Sequence, residues 1–229
     1  MDHVPLLFAE SVARLFDINS LHSLKESRSR LFGNVGRSFW EKRLQVTLNV
    51  VYNPAAGTFD YCLTCRKHEL SWSTTPNTYN PADDRFVYLF EVSLLEDKSS
   101  LDNMKVKWAS ATPSDPTFLK LLRATFRITK LRLDVNCPKL LKLLPDYCTF
   151  NWIHNYGAFA YNGFLEAIIQ RSQESGRLES VHCKEFFEKR GIEASIDWIS
   201  TNKRLRRISR YFIRDPASIR TVLNSIGVH

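Results

Sequence analysis

Residues 44–66 read LQVTLNVVYNPAAGTFDYCLTCR, and this stretch decides which kind of fold the chain can have. Apolar and polar residues alternate strictly from Leu44 to Val50, which places the apolar side chains on one face of a β-strand. The cluster at 53–57, Asn-Pro-Ala-Ala-Gly, is typical of a turn, and the strand pattern returns over 59–66. The sequence therefore predicts a β-hairpin that opens a β-rich segment.

The regions on either side of this hairpin have different periodicities. Before it, apolar residues recur at helical spacing, which predicts a helical module of three helices. In the third of these helices, Gly33 and Gly36 are expected to loosen the first turns. The predicted segments are a helical module at 1–43, a β-rich segment at 44–112 with further strands at 86–95 and 104–108, and an α/β segment at 113–229.

The C-terminal segment repeats a helix-strand pattern. Strands are predicted to start at 129, 149, 178 and 205, and helices to cover 116–126, 138–144, 157–175 and a closing stretch from Asp215. Within 157–175, the residues expected to face inward are Phe159, Phe164, Leu165, Ile168 and Ile169. Units at this period are typical of an irregular leucine-rich-repeat arc, although a small doubly wound sheet would produce a similar pattern.

Charge and composition bound the functional class. The chain has 229 residues with 32 Lys and Arg against 24 Asp and Glu, and its net charge of +8 favours an acidic partner. The surplus is spread along the chain, so it does not by itself indicate nucleic acid. Met1–Pro5 has no secretory-signal character, and the uncharged stretch 147–165 holds too many amides to cross a membrane. The odd number of cysteines, five, is typical of reduced thiols and not of a disulfide framework. We expect an intracellular protein without a membrane segment.

Candidate catalytic and metal sites carry little signal. Cys62, Cys65 and His68 resemble half of a zinc site, but the two cysteines lie three apart on a strand and point to opposite faces. Because no phosphate loop, dinucleotide fingerprint or nucleophile motif occurs, we expect no metal, no cofactor and no enzymatic activity. His154 lies beside Trp152 and is the histidine whose environment is most worth examining.

Two further patterns leave alternatives open. The run 203–210, Lys-Arg-Leu-Arg-Arg-Ile-Ser-Arg, is either a solvated face around an apolar seam or a stripe that binds phosphates, and we favour the first. The aromatic-rich stretch 147–164 suits a protein interface or a continuous core, and we favour the core.

The first residues carry a family resemblance. Met1-Asp2-His3-Val4-Pro5, followed by Phe8 and by Ser11-Val12, resembles the start of a large family of nematode F-box-like proteins. The continuation to Leu44 through Ser38-Phe39-Trp40 is similar to the transition of that family into a strand. The resemblance covers about the first 45 residues of this chain.

The resemblance implies an adaptor and not a catalyst. An F-box is a helical module that docks on a Skp1-type adaptor protein and links an unidentified protein substrate to a ubiquitin ligase. The residues expected to contact the adaptor are Val4, Pro5, Leu6, Phe8 and Leu15, although each could instead belong to the core. The predicted fold class is α+β, with an F-box-like helical module, a β-hairpin-rich middle and a leucine-rich-repeat-like α/β arc; the alternative function is nucleic-acid association through 203–210.

Overall fold

The computed structural model describes residues 5–16, 18–42, 44–67, 70–74, 87–104, 106–123, 129–135, 137–157, 163–183, 186, 198 and 207–208. In this part of the chain, three helices precede a mixed β-sheet whose later strands alternate with helices. The helices are α1 (Leu6–Leu15), α2 (Ile18–Lys25), α3 (Arg30–Lys42), α4 (Pro116–Arg123), α5 (Pro138–Leu143) and α6 (Gly163–Glu174). The strands are β1 (Leu44–Asn53), β2 (Thr58–Lys67), β3 (Leu70–Thr74), β4 (Val87–Leu95), β5 (Ala109–Ala111), β6 (Lys130–Leu133), β7 (Trp152–Asn155), β8 (Ser180–His182) and β9 (Arg207–Ile208).

The predicted hairpin is confirmed. β1 and β2 pair antiparallel with Asn53 opposite Thr58, so the turn cluster closes the hairpin where the sequence places it. The Asn53 side-chain oxygen accepts hydrogen bonds from the backbone N–H groups of Ala55 and Ala56, at 3.1 and 3.2 Å. Gly57 has a φ of +65°, a left-handed conformation that favours glycine.

One sheet contains all the strands of the described residues, in the order β3-β2-β1-β4-β6-β7-β8-β9, and β5 pairs with β2 beside β3. β4 lies parallel to β1, and from β4 onward each strand of the path pairs parallel with the strand before it. The sheet is therefore continuous across residue 112, where the sequence predicts a boundary. The three domain limits stay predictions.

Helices α4, α5 and α6 contribute to one hydrophobic core with the sheet. Leu131 and Ile153 of the parallel strands are fully buried in this core, together with Ile168 of α6. The Phe118 ring of α4 lies 5.4 Å from the Phe59 ring of β2, measured between centroids. Because side chains alternate along a strand, the residues between these core positions lie on the opposite face of the sheet.

The three N-terminal helices bury a separate, smaller hydrophobic cluster, which confirms the predicted helical region; its buried members are Ala9, Ala13, Leu21, Val35 and Phe39. The expectation that glycines loosen α3 is wrong. Gly36 is buried inside α3, and a Cβ there would lie 2.6 Å from the Lys25 nitrogen and 2.7 Å from the Leu24 carbonyl carbon. The glycine lets the end of α2 approach the backbone of α3.

Three further element predictions need correction. The strand predicted over 104–108 lies elsewhere: a 3-10 helix covers Ser99–Met104, and the strand that follows is β5. Helix α6 begins at Gly163 and not at Gly157, which sits in a bend against the backbone of Asp134. Phe164 is 41% exposed and does not face inward. The buried face of α6 begins one residue later, at Leu165.

Among the described residues, no helix combines the length and apolar character needed to cross a bilayer. The closing helix predicted from Asp215 lies outside the described residues, as do all residues of the basic run 203–210 except Arg207 and Ile208.

Candidate functional site

The face of the sheet opposite the helices is polar, and we call it the open face. It is formed by alternate residues of β1, β2, β4, β6, β7 and β8, because their neighbours in sequence point into the core. A groove of about 380 Å³ runs along it, bordered on one side by the 3-10 helix residues Ser100 and Leu101. Its polar lining includes Thr47, Asn49, Thr64, Glu91, Lys130 and Arg132.

Polar side chains in the groove bind one another. The Lys130 ammonium nitrogen lies 3.2 Å from Glu91 Oε2, and both side chains are largely shielded from solvent. Asn49 Nδ2 donates a hydrogen bond of 2.9 Å to Thr64 Oγ1. These contacts fix the side chains that line the groove. The lining therefore carries both charges and offers both hydrogen-bond donors and acceptors.

At one end of the groove, Arg132 begins a row with His154 and His182 across three adjacent strands, and we call it the basic row. Arg132 pairs directly with His154 in the parallel register, and His154 pairs directly with His182. The two imidazole centroids are 4.5 Å apart. Asp134 accepts two hydrogen bonds from Arg132, from Nε at 2.9 Å and from Nη2 at 3.0 Å, and these bonds fix the guanidinium plane.

The environment of His154 favours the neutral imidazole. Burial lowers the pKa of His154 to about 4, and the nearby charges of His182, Lys130 and Arg132 act in the same direction. Its Nδ1 lies 3.2 Å from the Tyr156 hydroxyl oxygen, within hydrogen-bond distance. Three basic groups therefore create a positive potential at one imidazole.

Aromatic rings border the basic row. Trp152 packs edge-on against Phe90 with ring centroids 5.8 Å apart, and Tyr156 is 60% exposed. The Arg132 guanidinium carbon lies 5.6 Å from the centroid of the Tyr156 ring. Tyrosine, tryptophan and arginine are the residue types that contribute most to protein interfaces.

No family model, no curated protein and no solved structure matches this chain. The geometry of its own residues therefore carries the functional argument.

Three of the residues predicted to contact an adaptor, Pro5, Leu6 and Phe8, lie at the start of α1, and Leu15 is its last residue. Pro5 and Phe8 are exposed, Leu6 is 55% exposed, and Leu7, which the sequence analysis did not single out, is 76% exposed. On the other face of the same helix, Ala9 is fully buried. Val4 and the side chain of Leu15 lie outside the described residues.

The zinc-like cluster is not assembled in the described part of the chain. Cys62 pairs with Asn49 and Cys65 pairs with Val46, register positions on opposite faces of β2, and His68 lies outside the described residues. Burial raises the pKa of the Cys62 thiol to about 12, which keeps it protonated. No group of three or more potential metal-ligating residues occurs among the described residues.

The described residues of the aromatic-rich stretch 147–164 include both buried and exposed rings. Phe150 is fully buried in the core, whereas Tyr147 and Tyr156 are 58% and 60% exposed. The preference for a continuous core therefore holds for Phe150 and not for the two tyrosines, because only Phe150 of these three belongs to the buried hydrophobic cluster.

His154 is the one member of the basic row that the sequence singled out. The available signal for the other two is positional, because Arg132, His154 and His182 each occupy the third residue of a strand, after the pairs Lys-Leu, Trp-Ile and Ser-Val. Their separation of more than twenty residues hides the row until the parallel register is known. His182 and Cys183 do point to opposite sides, as predicted, with Cys183 in the core.

Proposed function

We propose that the chain is a non-enzymatic substrate adaptor: the N-terminal helices bind a Skp1-type adaptor protein, and the open face of the sheet holds a protein substrate. The observation that supports this most directly is the apolar patch of Leu6, Leu7 and Phe8, which we call the head patch. Its residues are each more than half exposed around the first turn of α1, and the remaining side of the helix carries the fully buried Ala9 and Ala13. Contiguous exposed apolar side chains on a helix are typical of partner contacts.

The order of the strands supports the second half of the proposal. From β4 to β9, each strand of the sheet path pairs with the following strand of that path, whereas β5, which lies between β4 and β6 in the chain, pairs with β2. A leucine-rich-repeat arc adds its strands in this manner. The order of the whole sheet reverses between β1 and β4, as in a doubly wound sheet, but the strands beyond that point pair antiparallel and not parallel. The antiparallel strands β1, β2 and β3 depart from the regular repeat and extend the open face at one end.

The mechanism we propose is proximity. The head patch would bury apolar side chains against the adaptor, and the open face would bind the substrate through its aromatic and charged side chains. No reacting group of this chain is needed, since the ligase that the adaptor recruits would modify the substrate. The chain would therefore determine which substrate is presented.

The test is calorimetric titration of the full chain with a Skp1-type adaptor at two salt concentrations. The double variant Leu6→Ser/Phe8→Ser should weaken binding about tenfold or more, since apolar anchors dominate such interfaces. Phe164→Ser is the matched control, because it removes an exposed apolar ring from α6. Wild-type binding should change little with salt.

Absence of binding by the folded wild-type chain would refute the adaptor proposal. An equal loss with the α6 control would show that the head patch is not the contact. Circular dichroism of both variants separates lost contact from lost folding.

A further inference from the structure

We propose that the basic row binds carboxylates of an acidic protein segment laid across the open face of the sheet. This deepens the proposed function, because it assigns a chemical class to the substrate, and it rests on the substrate-holding half of that proposal. Three features of the molecule support it: the register of three strands, the ion pairs around the row and the exposure of the Arg132 side chain.

The row is a geometric array of nitrogen donors. Arg132, His154 and His182 are direct cross-strand neighbours, and adjacent strands lie about 4.8 Å apart, so the three side chains span about 10 Å. A single short peptide segment can contact all three. Carboxylates suit this array, since both guanidinium and protonated imidazole donate charge-assisted hydrogen bonds to them.

Arg132 is positioned for a ligand before one arrives. A guanidinium has five N–H donors, and the two bonds to Asp134 leave three of them to point elsewhere. The Arg132 side chain is 43% exposed, so an approaching carboxylate can reach it. Asp134 is a positioning residue here, because it acts by holding the guanidinium plane.

The charges that face His154 also favour an anion. Lys130 and Arg132 face it from β6, His182 faces it from β8, and the hydroxyl of Tyr156, the residue just after its own strand, lies beside it. The two nearby carboxylates, Glu91 and Asp134, bind Lys130 and Arg132 respectively. A carboxylate from a partner would stabilise protonated His154 and so raise the pKa of the imidazole.

The same arrangement distinguishes a protein segment from nucleic acid. Carboxylates alternate with the cations on this face, so a continuous chain of phosphates would meet Glu91 and Asp134 as well as the basic row. Carboxylates on flexible side chains can turn toward the basic row and away from Glu91 and Asp134, which phosphates fixed in a backbone cannot do. The exposed Tyr156 ring and Trp152 offer apolar contact beside the row, which a polypeptide can use.

The test uses the full chain and two labelled peptides, hexaglutamate and hexaglutamine. Hexaglutamate should bind, with affinity that rises several-fold as pH is lowered from neutral toward the carboxylate pKa of about 4.3. Proton NMR should show the His154 and His182 resonances shifting on addition of hexaglutamate. Arg132→Gln should weaken binding about tenfold, and His154→Gln/His182→Gln should abolish the pH dependence.

Lys139→Gln is the matched control. Lys139 is an exposed cation on α5, where it contacts Tyr52 and lies away from the row. Equal weakening by this control would refute the row as the site and indicate diffuse charge. Binding of hexaglutamine as tight as that of hexaglutamate, or a single-stranded oligonucleotide displacing the peptide and binding more tightly, would also overturn the proposal.

Adaptor titration of the same preparation keeps the two proposals separate. If the adaptor binds and hexaglutamate leaves the imidazole resonances unmoved, only the anion site fails. If hexaglutamate binds and the adaptor does not, the site stands and the ligase role fails.

Discussion

At the scale of single residues, two buried groups show how environment sets chemistry. Cys62 and His154 both lie on strands of the same sheet. Burial raises the pKa of the thiol and lowers the pKa of the imidazole, and both shifts favour the neutral form. For the thiol, the higher pKa of about 12 removes reactivity. For the imidazole, the lower pKa of about 4 keeps the ring neutral, and a nearby anion would favour its protonation.

His154 should make the stability of the protein depend on pH. Its pKa is about 4 in the folded chain and about 6.5 when unfolded, so the unfolded state binds the proton more tightly. The contribution of His154 to the free energy of unfolding should be fully present above pH 6.5. It should fall by roughly 1–2 kcal/mol as pH drops toward 4, after allowance for solvent screening.

Urea unfolding of wild type and His154→Gln at several pH values measures this effect. The difference between the two proteins isolates His154 from the titration of carboxylates over the same range. His22→Gln, on α2, is the matched control and should leave the wild-type pH dependence in place. Identical pH dependence in wild type and His154→Gln would contradict the expectation.

At the scale of elements, close contact between α2 and α3 explains a residue that weakens a helix in isolation. Glycine inside a helix costs about 1 kcal/mol relative to alanine. At position 36 a Cβ would lie 2.6 Å from the backbone nitrogen of Lys25, a distance that requires the helices to separate. Packing therefore overrides propensity in the N-terminal module.

Gly36→Ala should destabilise the protein by about 1–3 kcal/mol, because overpacking against backbone cannot be relieved by a rotamer change. Gly163→Ala is the matched control: it lies at the start of α6 with nothing within 4 Å of the added Cβ, and should be neutral or slightly stabilising. Denaturant unfolding followed by circular dichroism compares the two variants. Equal stability of both would contradict a close α2–α3 contact.

At the scale of the whole molecule, one core joins the segments at 44–112 and 113–229. Leu48 of β1 and Leu131 of β6 belong to the same hydrophobic cluster, and both are fully buried. Strands from the two segments share hydrogen bonds along β4 and β6. Neither segment can lose its contacts without exposing the core of the other.

Leu48→Ala and Leu131→Ala should therefore each lower the free energy of unfolding by about 2–5 kcal/mol and shift the midpoint of the same unfolding transition downward. Differential scanning calorimetry should show one unfolding transition, and both variants should shift it. Two transitions, each sensitive to one variant only, would show instead that the boundary predicted at 112 separates independent folding units.

The sequence by itself determined the local elements of this protein. Strict alternation over 44–50 and the turn at 53–57 specify the hairpin, because both signals act between near neighbours. Helical spacing in 4–42 likewise specified three helices, and the start of the fourth follows from Asp115, whose carboxylate accepts bonds from the N–H groups of Thr117 and Phe118.

Only the tertiary structure decided what depends on register and on close approach. The direct pairing of Arg132, His154 and His182 follows from hydrogen bonds between strands more than twenty residues apart, which no local pattern encodes. The fit of Gly36 against α2 depends in the same way on where another helix ends. Short-range spacing specifies elements, whereas long-range pairing brings the candidate site together.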